Sequence, residues 1–306
     1  MPCCARPSRS GDNHEVSCDD PGQVSESVRG VPAPALRPYV AEYSGYRQAG
    51  LPPGRHRGLP SPYLTLIITL DEPLDLAVHP DPRRLPSRYV TLLGGLHTTP
   101  AIITHPGSQS GIQLSLRPLG TRVLLGLPAG ELAGHDTDAD RVLGPVAIEL
   151  HERVQAAVTW EQRFAVIDEL LLRQVRDNQT VSQEVAHAWR RLLASGGTAA
   201  VPELAREAGW SSRRLGTRFR TEIGLGPKQA ARVVRFDRAR RLLQRRVAAA
   251  GPPDLAALAA ACGYYDQAHL AREFRALAGC PPSRWLAEEF RNVQAAPSLL
   301  LADSRS

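Results

Sequence analysis

Nowhere in the 306 residues do eighteen apolar residues follow one another, so neither a membrane-spanning helix nor a membrane partner is expected. The opening stretch, "MPCCARPSRSGDNHEVSCDDPG", lacks the apolar centre of a secretory signal, and a cytoplasmic location is the expectation. Cysteine is scarce: Cys3, Cys4, Cys18, Cys262 and Cys280 are the five. An odd number without regular spacing argues against a disulfide framework, and Cys3 beside Cys4, with His14 and Cys18 nearby, fits no usual zinc spacing. The short signatures of catalysis are missing too. There is no H-x-H, H-E-x-x-H, G-x-S-x-G, phosphate-binding loop or dinucleotide fingerprint. His56, His79, His97, His105 and His135 read as structural or surface histidines. A non-enzyme with no cofactor and no metal is the expectation.

Lysine is almost absent, Lys228 being the only one among 37 basic residues. With so strong an arginine bias, placement carries more information than number. Residues 196–291 hold 17 basic and 9 acidic side chains, a net charge of +8, while the rest of the chain sums to −2. A positive excess confined to a third of the chain points to a polyanion such as nucleic acid.

Residues 1–31 are polar, carry Pro, Gly and Ser and show no periodicity, which predicts a disordered tail. A first strand is expected within residues 36–47, carrying Tyr39, Tyr43 and Tyr46. Five short runs follow: "YLTLIITL", "LDLAV", "RYVTLLGG", "PAIITH" and "GIQLSLRP". Each is rich in Leu, Ile, Val or Thr and bounded by Pro, Gly or Asp, the pattern of strands and turns. Strands this short and closely spaced suggest a sandwich or small barrel. After Leu119 apolar residues recur three and four apart, which predicts helices. Within residues 159–176, Phe164, Ile167, Leu171 and Val175 share a face, and Thr159 with Gln162 has the spacing of a capping box. The "SGG" at 195–197 marks the expected domain boundary. The fold class expected is α+β: a β-rich, barrel- or sandwich-like domain with accessory helices over 32–195, then an all-α domain over 196–291, and a flexible tail over 292–306.

The all-α part repeats itself. "VPELAREAGW" opens the first copy and "LAALAAACGY" the second; Ala208-Gly209-Trp210 matches Cys262-Gly263-Tyr264. After one inserted residue in the second copy, Leu215 matches Leu270, Phe219 matches Phe274, Gly224 matches Gly279 and Pro227 matches Pro282. Each copy is a helix, a glycine corner and a second helix, the helix-turn-helix plan. The copies are expected over about 201–220 and 254–277. Ser211 or Ser212 and Asp266 can cap the second helices. Leu215, Phe219 and Ile223, and likewise Leu270, Phe274 and Leu277, are core. The outer faces carry Ser212, Arg213, Arg214, Thr217 and Arg218 in one copy, and Gln267, Ala268, Ala271, Arg272 and Arg275 in the other. Arginine forks onto guanine, glutamine onto adenine, and alanine touches a thymine methyl. His269 could touch phosphate, assist the cap or only pack. Residues 227–247 between the copies form one helix of roughly 31 Å, near the roughly 34 Å turn of B-DNA, with Val233, Phe236, Ala239, Leu242 and Leu243 as its apolar stripe.

"ACGYYDQAHLAREFRALAGCPPSRW" and "RFDRARRLL" resemble the second helix-turn-helix and the linker helix of AraC/XylS-family transcriptional regulators, here of the actinobacterial type. Two departures stand out: Tyr265 occupies a place where serine is usual, and Gly216 sits inside the first reading helix. The resemblance implies a double-stranded DNA partner gripped in adjacent major grooves. From the side chains themselves, Arg213, Arg214, Gln267 and Arg272 are expected to include base contacts, while Arg218, Arg275 and their neighbours mostly steer onto phosphate. "LRPYVAEYSGYR", "GLHTTPAIITHPGSQSGIQLSLRPLG" and "LPAGELAG" resemble the sensor halves of such regulators. That resemblance implies a half that binds a small-molecule effector or a second subunit; a homodimer, and RNA polymerase if the protein activates, are further expected partners. Two alternatives stay open. One is a cupin-like metal enzyme using the histidines above; the other is a DNA-repair protein using Cys3, Cys4 or Cys18 as a reactive thiol.

Overall fold

The computed structural model describes residues 14–17, 23–175, 181–250 and 254–293. Their strands are β1 (His14–Ser17), β2 (Val24–Gly30), β3 (Val40–Ala49), β4 (Gly54–Gly58), β5 (Leu64–Thr69), β6 (Leu74–Val78), β7 (Ser87–Tyr89), β8 (Thr91–Gly94), β9 (Ala101–His105), β10 (Gln109–Leu116) and β11 (Asp136–Asp138). Two antiparallel sheets result, one ordered β1-β2-β3-β10-β5-β8-β11 and the other β4-β9-β6-β7.

The two faces of the large sheet differ in chemistry because side chains alternate along a strand. On one face, Val28, Tyr43, Leu66, Ile112 and Leu114 are buried in a single core with residues of the helices that follow. The other face carries Glu42, Ser44, Tyr46 and Gln48 of β3. The register sets Gln113 beside Ser44, Ser115 beside Glu42 and Gln109 beside Gln48. This polar face turns toward the small sheet. The apolar patch between the sheets is limited to Ile67, Leu74, Leu76, Tyr89, Leu92, Ala101 and Ile103.

Helices α1 (Thr121–Leu125), α2 (Asp140–Leu143), α3 (Pro145–Ala156) and α4 (Trp160–Gln174) belong with the sheets. Leu150 and Val154 of α3 and Ile167 and Leu171 of α4 share the core of the apolar sheet face. Helix α4 starts at a capping box: Thr159 accepts from the Gln162 amide, and the Gln162 side chain accepts from the Thr159 amide. From α4, Asp168 accepts from the Tyr43 hydroxyl at 2.8 Å and from the Ala33 amide at 3.0 Å. The Trp160 indole donates to Glu26 of β2 at 2.8 Å.

The remaining helices are α5 (Gln183–Ala194), α6 (Val201–Glu207), α7 (Ser212–Ile223), α8 (Pro227–Ala250), α9 (Leu255–Ala261), α10 (Gln267–Ala278) and α11 (Pro282–Val293). Several expectations need correction against this order. Residues 14–17 and 24–30, expected within a disordered tail, form β1 and β2, which pair antiparallel with each other, and β2 pairs in turn with β3. Backbone pairing, which needs no apolar run, holds them. Tyr39 precedes β3, while Tyr43 and Tyr46 lie on opposite faces of it. The run at 88–95 is two strands, β7 and β8, and the apolar-poor β4, "GRHRG", was not anticipated. The "SGG" at 195–197 is a turn inside the helical unit. Helix α5 packs with α6, α7 and α8, and Trp189 of α5 meets Phe219 of α7 edge-on at 6.0 Å. The helical unit therefore starts at α5, before the expected boundary. Cys3, Cys4 and Cys18, and most of the expected C-terminal tail, lie outside the described residues.

Replacing Thr159 with alanine removes one half of the capping box directly. The expected cost is about 1 kcal/mol of stability, read as a lower denaturant midpoint with an unchanged slope.

Candidate nucleic-acid interface and the cavity behind it

Helices α6 and α7 are joined at Gly209, whose φ of +66° is a left-handed conformation that costs a side chain strain. Ser211 caps α7, its hydroxyl accepting from the Arg214 amide at 3.2 Å. In the second copy α9 and α10 meet at Gly263, with φ of +72°, and Asp266 caps α10 by accepting from the His269 amide at 2.6 Å. Leu215, Phe219, Ile223, Leu270 and Phe274 are fully buried, and Leu277 nearly so.

The outer faces are open. Ser212, Arg213, Arg214, Thr217 and Arg218 are exposed on α7, as are Gln267, Ala268, Arg272 and Arg275 on α10. His269 and Ala271 are half-buried. Of these, Arg214 lays its guanidinium over the Trp210 ring at 4.7 Å, a cation–π contact. The Thr217 hydroxyl donates back to the Arg213 carbonyl at 3.2 Å. His269 is occupied in the turn: its ring meets Tyr264 edge-on at 5.3 Å, and its Nδ1 accepts from the Tyr265 amide at 3.3 Å.

Helix α8 fixes where both reading helices stand. It has 24 residues, about 36 Å of helix. Val233, Phe236, Ala239 and Leu243 are buried. Phe236 packs edge-on against Phe274 of α10 at 4.9 Å, and Arg232 grips Glu273 of α10 through two bonds of 2.8 and 3.0 Å. On the other side, Arg235 donates to the Gly197 carbonyl at 2.8 Å, between α5 and α6.

The β-rich unit touches both copies. Arg122 of α1 makes a bidentate pair with the buried Glu222 of α7 at 2.7 and 2.9 Å. At Gly130 an added Cβ would stand 2.5 Å from the carbonyl oxygens of Arg220 and Thr221, so only glycine allows this approach of α7. In the second copy, Arg57 of β4 pairs with Glu288 of α11.

Between the two sheets lies a cavity of about 340 Å³. One wall is the polar face of β3 and β10, and its far wall is Arg240, Arg241 and Gln244 of α8 with Trp285 of α11. Burial, reinforced by the His105 ring, lowers the His56 pKa to about 4; burial lowers His97 as well. Burial pushes the Tyr46 phenol up to about 12. These three groups are therefore uncharged at neutral pH. Burial also opposes ionisation of Asp237 on α8, but the charges and hydrogen bonds of Arg240 and Arg241 more than reverse it and hold the carboxyl below its ordinary value. Arg241 is desolvated yet held cationic by Asp237, with further attraction from Glu42 and Tyr63 of the cavity wall.

Residues 204–288 match the family model of a helix-turn-helix domain. The helical unit is an AraC-type helix-turn-helix DNA-binding domain. Residues 29–138, the sheets in front of this AraC-type domain, match a domain of unknown function, DUF6597. A comparison with curated proteins returns no match. Among solved structures the chain is similar to ToxT from Vibrio cholerae, with 10% identity, a TM-score of 0.46, and 80% of this chain and 97% of that one covered. It is also similar to wild-type ToxT bound to an unsaturated fatty acid, with 9% identity, a TM-score of 0.49, and 80% and 94% covered. No helix among the described residues is long and apolar enough to cross a membrane.

The groups invoked by the metal-enzyme alternative do not gather among the described residues, where no cluster of three His, Cys, Asp or Glu has metal-holding geometry. His56 and His105 stand 6.1 Å apart, while His79 pairs with Asp136 at 3.0 Å. Cys262 and Cys280 are buried thiols, and burial raises the Cys262 pKa. The cavity was missed from sequence. The period-two polar pattern Glu42, Ser44, Tyr46, Gln48 was the available signal, overlooked beside the tyrosines.

Gly216 lies within α7, and the nearest atom to an added Cβ would be the Arg220 guanidinium at 3.9 Å. Gly216→Ala is expected to stabilise the protein by up to ~1 kcal/mol, measured as a higher unfolding midpoint.

Proposed function

We propose that the AraC-type domain serves a sequence-specific transcription regulator whose sheets bind a small effector. Arg213, Arg214, Gln267 and Arg272 include the base-reading side chains, and Arg218 and Arg275 hold phosphate. The observation that carries the effector half is the shared wall of the cavity. Its far side is α8, the helix that spaces the two reading heads. A molecule bound there bears on α8 directly and needs no longer route to the DNA surface.

The chemistry of the sheet wall supports a polar effector. A sandwich interior is ordinarily apolar, because a buried polar group without a partner costs free energy. Here Ser44, Tyr46, Gln109 and Gln113 line the space, with Glu42 and Asp136 as acceptors and Arg241 as a fixed cation. A compact molecule with several hydrogen-bonding groups satisfies that lining; a long acyl chain would strand it. Two chains on a symmetric site, and contact with RNA polymerase if the protein activates, complete the proposal. In this reading the chain is no enzyme, and DNA and the effector are its partners.

The DNA half is tested by gel shift on the operator, found first by genomic footprinting. Each alanine variant at Arg213, Arg214, Gln267 and Arg272 that removes a base contact is expected to cost ~1–3 kcal/mol and to relax preference at one position. Full selective binding by all four would overturn the assignment of these side chains as base readers. For the effector half, Ser44→Phe fills the cavity from β3, far from the reading faces. A shift of operator affinity of about threefold or more is expected, with the unfolding midpoint retained. Unchanged operator affinity in a folded Ser44→Phe protein would break the proposed link.

A further inference from the structure

The two helix-turn-helix copies differ by a single inserted residue, and that residue is Tyr265. In the first copy the corner aromatic Trp210 is followed at once by the cap Ser211. In the second, Tyr265 stands between the corner aromatic Tyr264 and the cap Asp266. Tyr264 is 5% exposed and belongs to the core, whereas Tyr265 is 93% exposed, the highest value among the exposed large hydrophobic side chains of the described residues.

Its backbone is held in place. The Tyr265 amide donates to His269 Nδ1, the His269 amide donates back to Asp266, and the His269 ring rests edge-on against Tyr264. A residue fixed by reciprocal capping, with its ring in water, is exposed by construction. Tyr265 directly precedes the N-cap Asp266, at the N-terminal end of α10, the helix whose exposed residues include Gln267, Ala268 and Arg272. In a helix-turn-helix the N-terminal residues of the reading helix stand nearest the DNA. A tyrosine just outside that helix meets the sugar–phosphate rim rather than the base edges.

We infer that Tyr265 is a DNA-backbone contact peculiar to the second reading head, its hydroxyl donating to a phosphate oxygen and its ring covering the adjoining deoxyribose. The inference rests on the DNA-binding function proposed above. It makes the two heads unequal: the first has Arg213, Arg214 and Arg218 around its helix, while the second, with fewer cations, gains a neutral anchor. Phosphate contacts set register without reading sequence, so Tyr265 adds affinity to the second head and leaves its choice of bases to Gln267 and Arg272.

The experiment compares Tyr265→Phe, Tyr265→Ala, Gln267→Ala and Arg272→Ala in the full chain, on the operator and on singly substituted versions of it. Tyr265→Phe is expected to weaken binding about threefold and Tyr265→Ala about tenfold, by the same factor on every version, at an unchanged unfolding midpoint. Because the hydroxyl is neutral and displaces no counterion, the slope of affinity against salt should stay as in the unmodified protein. Ethylation interference should lose one phosphate in both Tyr265 variants. Wild-type affinity in Tyr265→Ala, while Gln267→Ala and Arg272→Ala lose theirs, would overturn the inference and leave the DNA-binding function standing. A loss confined to one base position would make Tyr265 a base reader and overturn it as well. Wild-type selective binding by all four variants would overturn the inference and remove the second head's residues from the DNA contact, whereas failure of the unmodified chain to bind any operator selectively would sink the function itself.

Discussion

Asp237 sits buried on α8 between Arg240 and Arg241, with contacts of 2.6 and 2.8 Å, and the rest of the molecule is organised around the helix it stiffens. A desolvated carboxylate demands its partners, and removing one partner from such a pair costs ~3–5 kcal/mol. The two arginines are thereby tied to their own helix while forming part of the cavity wall. The same helix sends Phe236 and Arg232 to α10 and Arg235 to the corner before α6. One rigid element thus meets both copies of the helix-turn-helix and the space between the sheets.

The large sheet makes that arrangement possible by giving its two faces different duties. Tyr43, Ile112 and Leu114 carry the burial that stabilises the β-rich unit, against α3 and α4. The opposite face is thereby released from packing and holds Ser44, Tyr46 and Gln113 around a cavity. Packing at the domain junction is close and mixed: Arg122 pairs with Glu222, Arg57 with Glu288, and the α7 backbone lies against Gly130, while one apolar core runs through both units.

Legibility followed the range of the interactions. The corners at Gly209 and Gly263, the caps at Ser211 and Asp266, and the Leu-Phe pairs of α7 and α10 all depend on neighbours within about a turn of helix. Their spacing was readable, as was the capping box at Thr159. Harder were β2, "VSESVRG", with two apolar residues, and β4, with none; each is a strand because a partner strand offers it hydrogen bonds. Helix α5 read as an amphipathic helix, yet its ownership turned on Trp189 finding Phe219, thirty positions away.

By itself, then, the sequence determined the doubled helix-turn-helix, its exposed arginine- and glutamine-bearing faces, the spacer between the copies and the β-rich character of what precedes them. Those properties are set by local backbone preference, capping and periodicity, which act over a few residues. Only the tertiary structure decided that Ser44, Gln113, Arg241 and Trp285 line one cavity, that α5 joins the helical unit, and that Tyr265 is left in water while Tyr264 is buried. These depend on sheet register and on which faces meet, relations between segments far apart in the chain that no local spacing encodes.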